Sequence, residues 1–313
     1  MVMNRWISCL KGGGRNSDMT QFHYVVTAEE DGKILKKVLK RRFRFSRRMF
    51  RRLKLTGGIL VNGNPVYLNS LVYQGDRVTV LFDEEEAGHI VPEPIPLNIV
   101  HEDDDLIVLN KQPGIVVHPT KNYSQGTLAN GLAYYWSQQG KQHRIRPVTR
   151  LDRDTSGLLV FAKHAYAHSF LSEQMERGRY QRHYLAICHG ILSKEEGSID
   201  APIARCSEND SRRQVTAEGA RAVTHYKVLE RYRRATLLSL RLETGRTHQI
   251  RVHLAYMGHP IVGDSLYGPA EETKLLQRQA LHASFIQFLH PRGGTRSWSS
   301  SMPDDMKQLT HRL

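Results

Sequence analysis

The chain has 313 residues, 40% of them apolar and 24% charged, proportions that suit a globular protein long enough for two domains and exclude wholesale disorder or a fibrous repeat. Its 45 Lys and Arg against 31 Asp and Glu leave a formal charge of +14, which calls for a polyanionic partner, and no apolar run approaches a membrane-spanning helix or a signal-peptide core. Cys9, Cys188 and Cys206 form no C-x-x-C pair and the 16 histidines no H-E-x-x-H, so neither a disulfide framework nor a metal site is expected.

Residues 1–21, with Gly12, Gly13, Gly14, Asn16 and Ser17, read as a flexible leader in which Met19 offers an alternative start. Residues 32–54 then carry twelve Lys and Arg and no acid, interleaved with Ile34, Leu35, Val38, Leu39, Phe43, Phe45, Met49, Phe50 and Leu53. That spacing predicts two amphipathic helices divided at Ser46 as an N-cap, each with a cationic face. Most charge runs are solvated faces, but a block without acids repels itself unless a polyanion relieves it. Short apolar runs follow, punctuated by Asn62-Gly63-Asn64-Pro65 and Gly75-Asp76, the marks of hairpin turns. Residues 22–83, with the basic helix pair, the G-I-L-V-N-G turn and the closing G-D-R-V, resemble the S-four RNA-binding domain. The resemblance implies that Lys36, Lys40, Arg41, Arg47, Arg48 and Arg51 meet phosphates of structured RNA.

Residues 84–96, with Glu84, Glu85, Glu86, Gly88, Pro92, Pro94 and Pro96, read as a linker between this small domain and a second one over residues 97–305, leaving a tail at 306–313. In the second domain LIVLN, IVVH, LLVFA, YLAICHG, VTHYKVL and TLLSLRLE read as strands. No regular strand–helix alternation and no Gly-rich phosphate fingerprint accompany them. The expected fold is therefore α+β, with a mostly antiparallel mixed sheet flanked by helices.

The stretch RPVTRLDRDTSGLLVFAK places a polar loop before a buried strand that follows Gly157. Asp152 stands between Arg150 and Arg153, whose charges favour the ionised carboxylate that a nucleophile or general base needs. Asp154, Thr155 and Ser156 are expected to hold the loop by local side-chain to backbone hydrogen bonds. In RLETGRTHQIRVHLAYMGHPIVGD a strand ends at Thr244-Gly245 and a helix follows, with Ile250, Leu254 and Met257 on one face and Arg251 and Ala255 displaced from it. Arg246, Thr247 and His248 are then expected at a helix N-terminus that favours an anion such as phosphate, whereas His253 reads as a hydrogen-bonded polar residue.

R-L-D-R-D-T-S-G-L-L-V resembles the active-site motif of the RluA/RluD-type pseudouridine synthases, and Y-L-A-I-C-H-G and G-R-T-H-Q-I-R resemble further signatures of that family in order and spacing. Smaller matches lie in NKQPGIVVHP, with Asn110, Lys111, Pro113, Gly114 and His118, and in RQALHASFIQFLHP; together they cover about residues 95–295. The resemblance implies that Asp152 is the catalytic aspartate, that Arg150 fills the place of a flipped-out uridine, that Tyr184 stacks on the target uracil and that Arg251 pairs with Asp152. Where many members have His before R-L-D, this chain has Thr149.

Isomerising uridine to pseudouridine means breaking the base–sugar C–N bond, turning the uracil and rejoining it through ring carbon five, so no cofactor or metal is expected. The base must leave its stack at a cost of a few kcal/mol, which stacking and a space-filling side chain offset. The expected partner is structured RNA, large-subunit ribosomal RNA first and transfer RNA second, rather than DNA or membrane; the expected setting is a cytoplasmic monomer. The competing readings are a non-catalytic RNA-binding or ribosome-assembly factor, an N-glycosidase that releases free base, and a basic membrane-surface protein.

Overall fold

A computed structural model describes residues 20–82, 90–120, 123–141, 143–207, 210–269 and 276–313. The chain divides into two compact units, Met1–Glu86 and Ala87–Leu313. Among the described residues no helix is long and apolar enough to cross a membrane. Most of the expected leader, Met19 included, lies outside the described residues, and Thr20 and Gln21, assigned to that leader, already pair with Phe82 and Leu81 in the first strand.

In the first unit the strands are β1 (Thr20–Val25), β2 (Lys33–Ile34), β3 (Ile59–Val61), β4 (Asn64–Pro65), β5 (Leu71–Val72) and β6 (Arg77–Phe82). They form a four-stranded sheet in the order β1-β6-β3-β4 and a separate β2-β5 pair. Helices α1 (Leu35–Arg42) and α2 (Arg47–Thr56) follow β2, and Ser46 caps the second by accepting from the Met49 N–H at 3.2 Å. Leu35, Val38 and Leu39 of α1 and Met49, Phe50 and Leu53 of α2 are buried, as three-to-four spacing requires of a face turned to a core. Lys36, Lys40, Arg41, Arg47, Arg48 and Arg51 are all exposed. One acid meets the basic block from outside it: Glu30, just ahead of it in sequence, pairs with Arg42 at 3.0 Å. Asn62-Gly63 closes the β3–β4 hairpin with positive φ at both residues. Gly75-Asp76 is a turn but not a hairpin, because β5 pairs with β2 whereas β6 pairs with β1 and β3.

The second unit is built on one ten-stranded sheet. Its strands are β7 (Ile99–Glu102), β8 (Leu106–Lys111), β9 (Arg146–Pro147), β10 (Ser156–Ala162), β11 (Gln181–His189), β12 (Glu196–Asp200), β15 (Val223–Arg231), β16 (Ala235–Leu242), β17 (Leu281–Leu289) and β18 (Thr295–Ser299). The main order is β12-β15-β16-β11-β17-β10-β8-β7, with β18 on β17 and β9 on β10; β13 (Ile203–Arg205) and β14 (Arg213–Val215) form a side hairpin. Neighbours run antiparallel except β10 and β17, which are parallel, so the sheet is mixed. Residues 115–118, read as a strand, instead form a loop with a single bridge from Val116 to Thr127.

Helices α3 (Leu128–Ser137), α4 (Ala165–Glu176), α5 (Gln249–Tyr256) and α6 (Asp304–Thr310) pack on this sheet. Of the segment read as linker, residues 84–89 lie outside the described residues, but residues 90–96 and the segment read as tail are part of its packing. Ile90, Ile95 and Leu97 rest on the core, Glu93 N–H donates to the Asn130 carbonyl at 3.1 Å, and Asn130 Nδ2 donates to the Val91 carbonyl at 2.8 Å. The end of the chain is the helix α6, whose Met306 and Leu309 are buried. Prolines and terminal position argued for a linker and a tail, but apolar side chains in both segments found a surface to cover.

Candidate active site

Asp152 sits in the loop between β9 and β10, and side chains from distant segments hold that loop. Lys111, the last residue of β8 and 1% exposed, donates from Nζ to the Arg153 carbonyl at 2.6 Å and the Gln112 carbonyl at 2.8 Å. Arg278, itself forked onto Asp305 at 2.6 and 2.8 Å, donates to the Asp154 carbonyl at 3.3 Å. Gln279 Nε2 donates to the Thr155 hydroxyl at 3.1 Å, and Ser156 Oγ lies 2.9 Å from His282 Nδ1. Thr155 and Ser156 therefore bond across the fold rather than to their own backbone, and the local bond is the one from Thr155 N–H to the Asp152 carbonyl, 3.1 Å. Next to it, Gly157 has φ +111°, and an added Cβ would lie 2.3 Å from the Ala283 carbonyl oxygen of the parallel strand β17.

The loop presents the Asp152 side chain 26% exposed beside Arg251, which is 8% exposed. Arg251 Nε and Nη2 grip Asp264 at 2.7 and 2.8 Å, and Nη1 donates to Asp152 Oδ2 at 3.1 Å. One guanidinium thus spends a two-pronged fork on a buried acid and keeps a third direction for Asp152. Burial opposes the charge on Arg251, but Asp264 and then Asp152 outweigh it and raise its pKa. Asp264 Oδ1 also accepts the Leu266 and Tyr267 N–H groups at 3.0 and 3.2 Å, and the Tyr267 ring lies 5.1 Å from the Arg251 guanidinium carbon. The helix that carries Arg251 is not amphipathic in place: residues 249–254 of α5 are all buried, Arg251 included.

His248 precedes α5 with φ 56°, and its Nε2 stands 3.9 Å from Asp152 Oδ2. Tyr267 Oη accepts from the Arg213 N–H at 2.8 Å and lies 2.9 Å from His248 Nδ1, a hydrogen bond that fixes the imidazole with Nε2 toward Asp152. Burial lowers the His248 pKa against the pull of Asp152, consistent with a neutral ring. The expected phosphate site at Arg246 and Thr247 is open to solvent, but the Arg246 N–H is already taken by Gln249 Oε1 at 2.9 Å. His253 is hydrogen-bonded as expected, to the Thr224 hydroxyl and the Ala201 carbonyl, both at 2.9 Å.

Tyr184 lies in β11, next to a register shift against β17, and is 7% exposed. Burial raises its hydroxyl pKa; Arg182 opposes and the Asp152 charge adds to the rise, which puts both charged groups near the phenol. Arg150 is exposed and close enough to His118 to join burial in lowering that imidazole's pKa. Arg153 turns to Asp154 at 3.1 Å and to the Tyr123 hydroxyl at 3.2 Å, so the cation bonded to Asp152 is Arg251 rather than a sequence neighbour. Lys111, Asp264 and Arg278 stand in segments quoted for the resemblance, but nothing in those segments assigned them these roles, and Tyr267 stands outside them. A buried arginine's need for a carboxylate was the one available hint, and it does not say which acid answers.

One cluster invites a metal. Oxygen and nitrogen atoms of Asp103, Asp105 and His290 lie within 4.8 Å of one another. The cluster already contains a cation, the Arg292 guanidinium on Asp105. His290 Nδ1 accepts the Arg292 N–H at 3.2 Å, so Nε2 carries the proton and donates to Asp103 at 3.1 Å. His164 likewise accepts the Ala167 N–H on Nδ1 and gives its Nε2 proton to Asp105 at 2.8 Å. These imidazoles are hydrogen-bond donors where a ligand would need a lone pair, and the residues do not fit a metal.

The family model for RNA pseudouridylate synthase matches residues 105–256. An uncharacterised RNA pseudouridine synthase of Bacillus subtilis, YhcT, is 43% identical over 288 residues, 91% of this chain and 95% of the relative. The ribosomal large subunit pseudouridine synthase D of Vibrio cholerae is 40% identical over 280 residues, 85% of this chain and 86% of the relative. The solved structure of human RNA pseudouridylate synthase domain containing 1 superposes with a TM-score of 0.56 at 25% identity, covering 67% of this chain and 84% of that one. A mixed sheet flanked by helices, the matched family model and relatives spanning nearly the whole length place this chain in the RNA pseudouridine synthase family, of the RluA/RluD type, as an isomerase acting on RNA.

Proposed function

We propose that this enzyme isomerises a uridine of large-subunit ribosomal RNA with Asp152 as its catalytic carboxylate. The observation that carries the reading is the Asp152 side chain itself, partly exposed and bonded at 3.1 Å to a guanidinium locked on a second acid. A carboxylate so aimed has the charge for each chemistry open to it: attack on the sugar carbon, addition to the uracil ring, or removal of a ribose proton. Arg251 holds it ready, Tyr184 stacks on the extruded uracil, and Arg150 fills the space the base leaves. Large-subunit ribosomal RNA is favoured over transfer RNA because the relative from Vibrio cholerae is named for that substrate.

On this reading residues 22–83 form an S-four RNA-binding domain, and Lys36, Lys40, Arg41, Arg47, Arg48 and Arg51 supply phosphate contacts that position the RNA without reading its sequence. Their exposure on two helices supports this. The enzyme works as a cytoplasmic monomer without a cofactor. The test is a map of pseudouridines in total RNA from cells with and without the gene. A ribosomal site lost with the gene supports the proposal; a loss confined to transfer RNA reassigns the substrate, and release of free uracil by the purified protein overturns the chemistry.

A further inference from the structure

Arg182 stands two residues before Tyr184 in β11, so the two side chains rise from the same face of the sheet. It is partly buried; among the described residues its Nε, out of contact with solvent, has no hydrogen-bond partner, and its one hydrogen bond is a long one from Nη2 to the Thr244 carbonyl, 3.4 Å. Among the described residues no carboxylate pairs with it, whereas Arg251, Arg278 and Arg292 of the same unit each have one. Gly245 leaves room for the guanidinium, since a Cβ there would lie 2.9 Å from Nη1. The Thr244–Gly245 turn opens the segment that carries His248 and Arg251, so Arg182 lies between that segment and Tyr184.

A half-buried cation whose Nε–H is unpartnered and which faces no carboxylate among the described residues is costly unless an anion completes it. We infer that Arg182 is a substrate-binding residue that takes a phosphodiester flanking the target nucleotide, fixing the backbone at the point where the base turns out toward Tyr184. A phosphate neutralises the guanidinium and accepts two of its parallel N–H groups, which a uracil carbonyl does not. The inference rests on the proposed placement of the target base at Asp152 and Tyr184.

The test uses the full enzyme, its Arg182→Gln and Arg182→Lys variants, and a ribosomal RNA fragment made with a neutral methylphosphonate at either linkage flanking the target uridine. Arg182→Gln should raise KM about tenfold to a hundredfold, the loss expected for one charge-assisted contact, and leave kcat within about threefold. The slope of log affinity against log salt should become shallower by about 0.7 to 0.9, and Arg182→Lys should recover part of the loss. One methylphosphonate should weaken the parent by a similar factor and leave Arg182→Gln unaffected. Equal losses for both proteins at both linkages, with an unchanged salt slope, overturn the inference, whether the guanidinium then serves packing or a uracil carbonyl. Should the parent bind the RNA without converting it, the proposed function fails, while the same comparison read from affinity still decides Arg182.

Discussion

Asp264 fixes Arg251 through two parallel hydrogen bonds of 2.7 and 2.8 Å, and that grip turns the remaining nitrogen to Asp152. Removing the charge of Asp264 leaves the guanidinium buried with a single, partly exposed partner. Breaking a buried pair on one side costs about 3–5 kcal/mol. Asp264→Asn should therefore lower the melting temperature clearly and reduce single-turnover pseudouridine formation at least about tenfold. Unchanged melting and turnover would show that the fork does not position Arg251.

Lys111 tests how much the loop's anchoring matters. Burial pushes its pKa down to about 7, against the pull of Asp154 and Asp152. The neutral amine still has two N–H groups for the two carbonyls it meets, so the bonds survive deprotonation. Because the folded value lies below the unfolded one, the unfolded chain binds more protons between about pH 7 and 10, and this group makes stability rise with pH across that window. Lys111→Met should lose that rise, and it should be destabilised by about 1–3 kcal/mol for each buried carbonyl left unpaired. Denaturation of parent and variant at pH 6.5 and 9 measures both; parallel pH dependences would contradict the buried titration.

Gly157→Ala places a methyl 2.3 Å from a backbone oxygen at a φ of +111°. Neither neighbour is a flexible side-chain tip, so β10 and β17 must separate next to the Asp152 loop. We expect a loss of at least about 3 kcal/mol, seen as insolubility or a much lower denaturation midpoint. Parent-like stability would mean that the parallel pairing is looser than described.

Replacing Arg47, Arg48 and Arg51 together by Gln should weaken RNA binding and flatten its salt dependence by about 0.7 to 0.9 per phosphate lost, with kcat at saturating RNA nearly unchanged. Equilibrium binding at several salt concentrations decides it. An undiminished slope would remove these residues from the RNA interface.

Much of this architecture was legible in advance, for reasons that can be named. Short continuous apolar runs marked β10, β11 and β16, because a buried strand is apolar on both faces, and three-to-four spacing marked the helices around Ser46, because burial of one face dictates it. The Asp152–Arg251 pair followed from resemblance, since the two residues are 99 positions apart and no local rule joins them. What stayed hidden was long-range: Asp264 behind Arg251, Tyr267 orienting His248, and Lys111 and Arg278 under the loop carbonyls. Side chains bonding to distant backbone leave no periodic trace. The tail was misread because α6 is short, and its two buried residues, Met306 and Leu309, are too few to show a pattern.

The most direct test is Asp152→Asn, assayed for pseudouridine formation and for RNA affinity on the same preparation. The account predicts no detectable isomerisation and an affinity near that of the parent, because binding rests on phosphate contacts elsewhere. Turnover equal to the parent would contradict it.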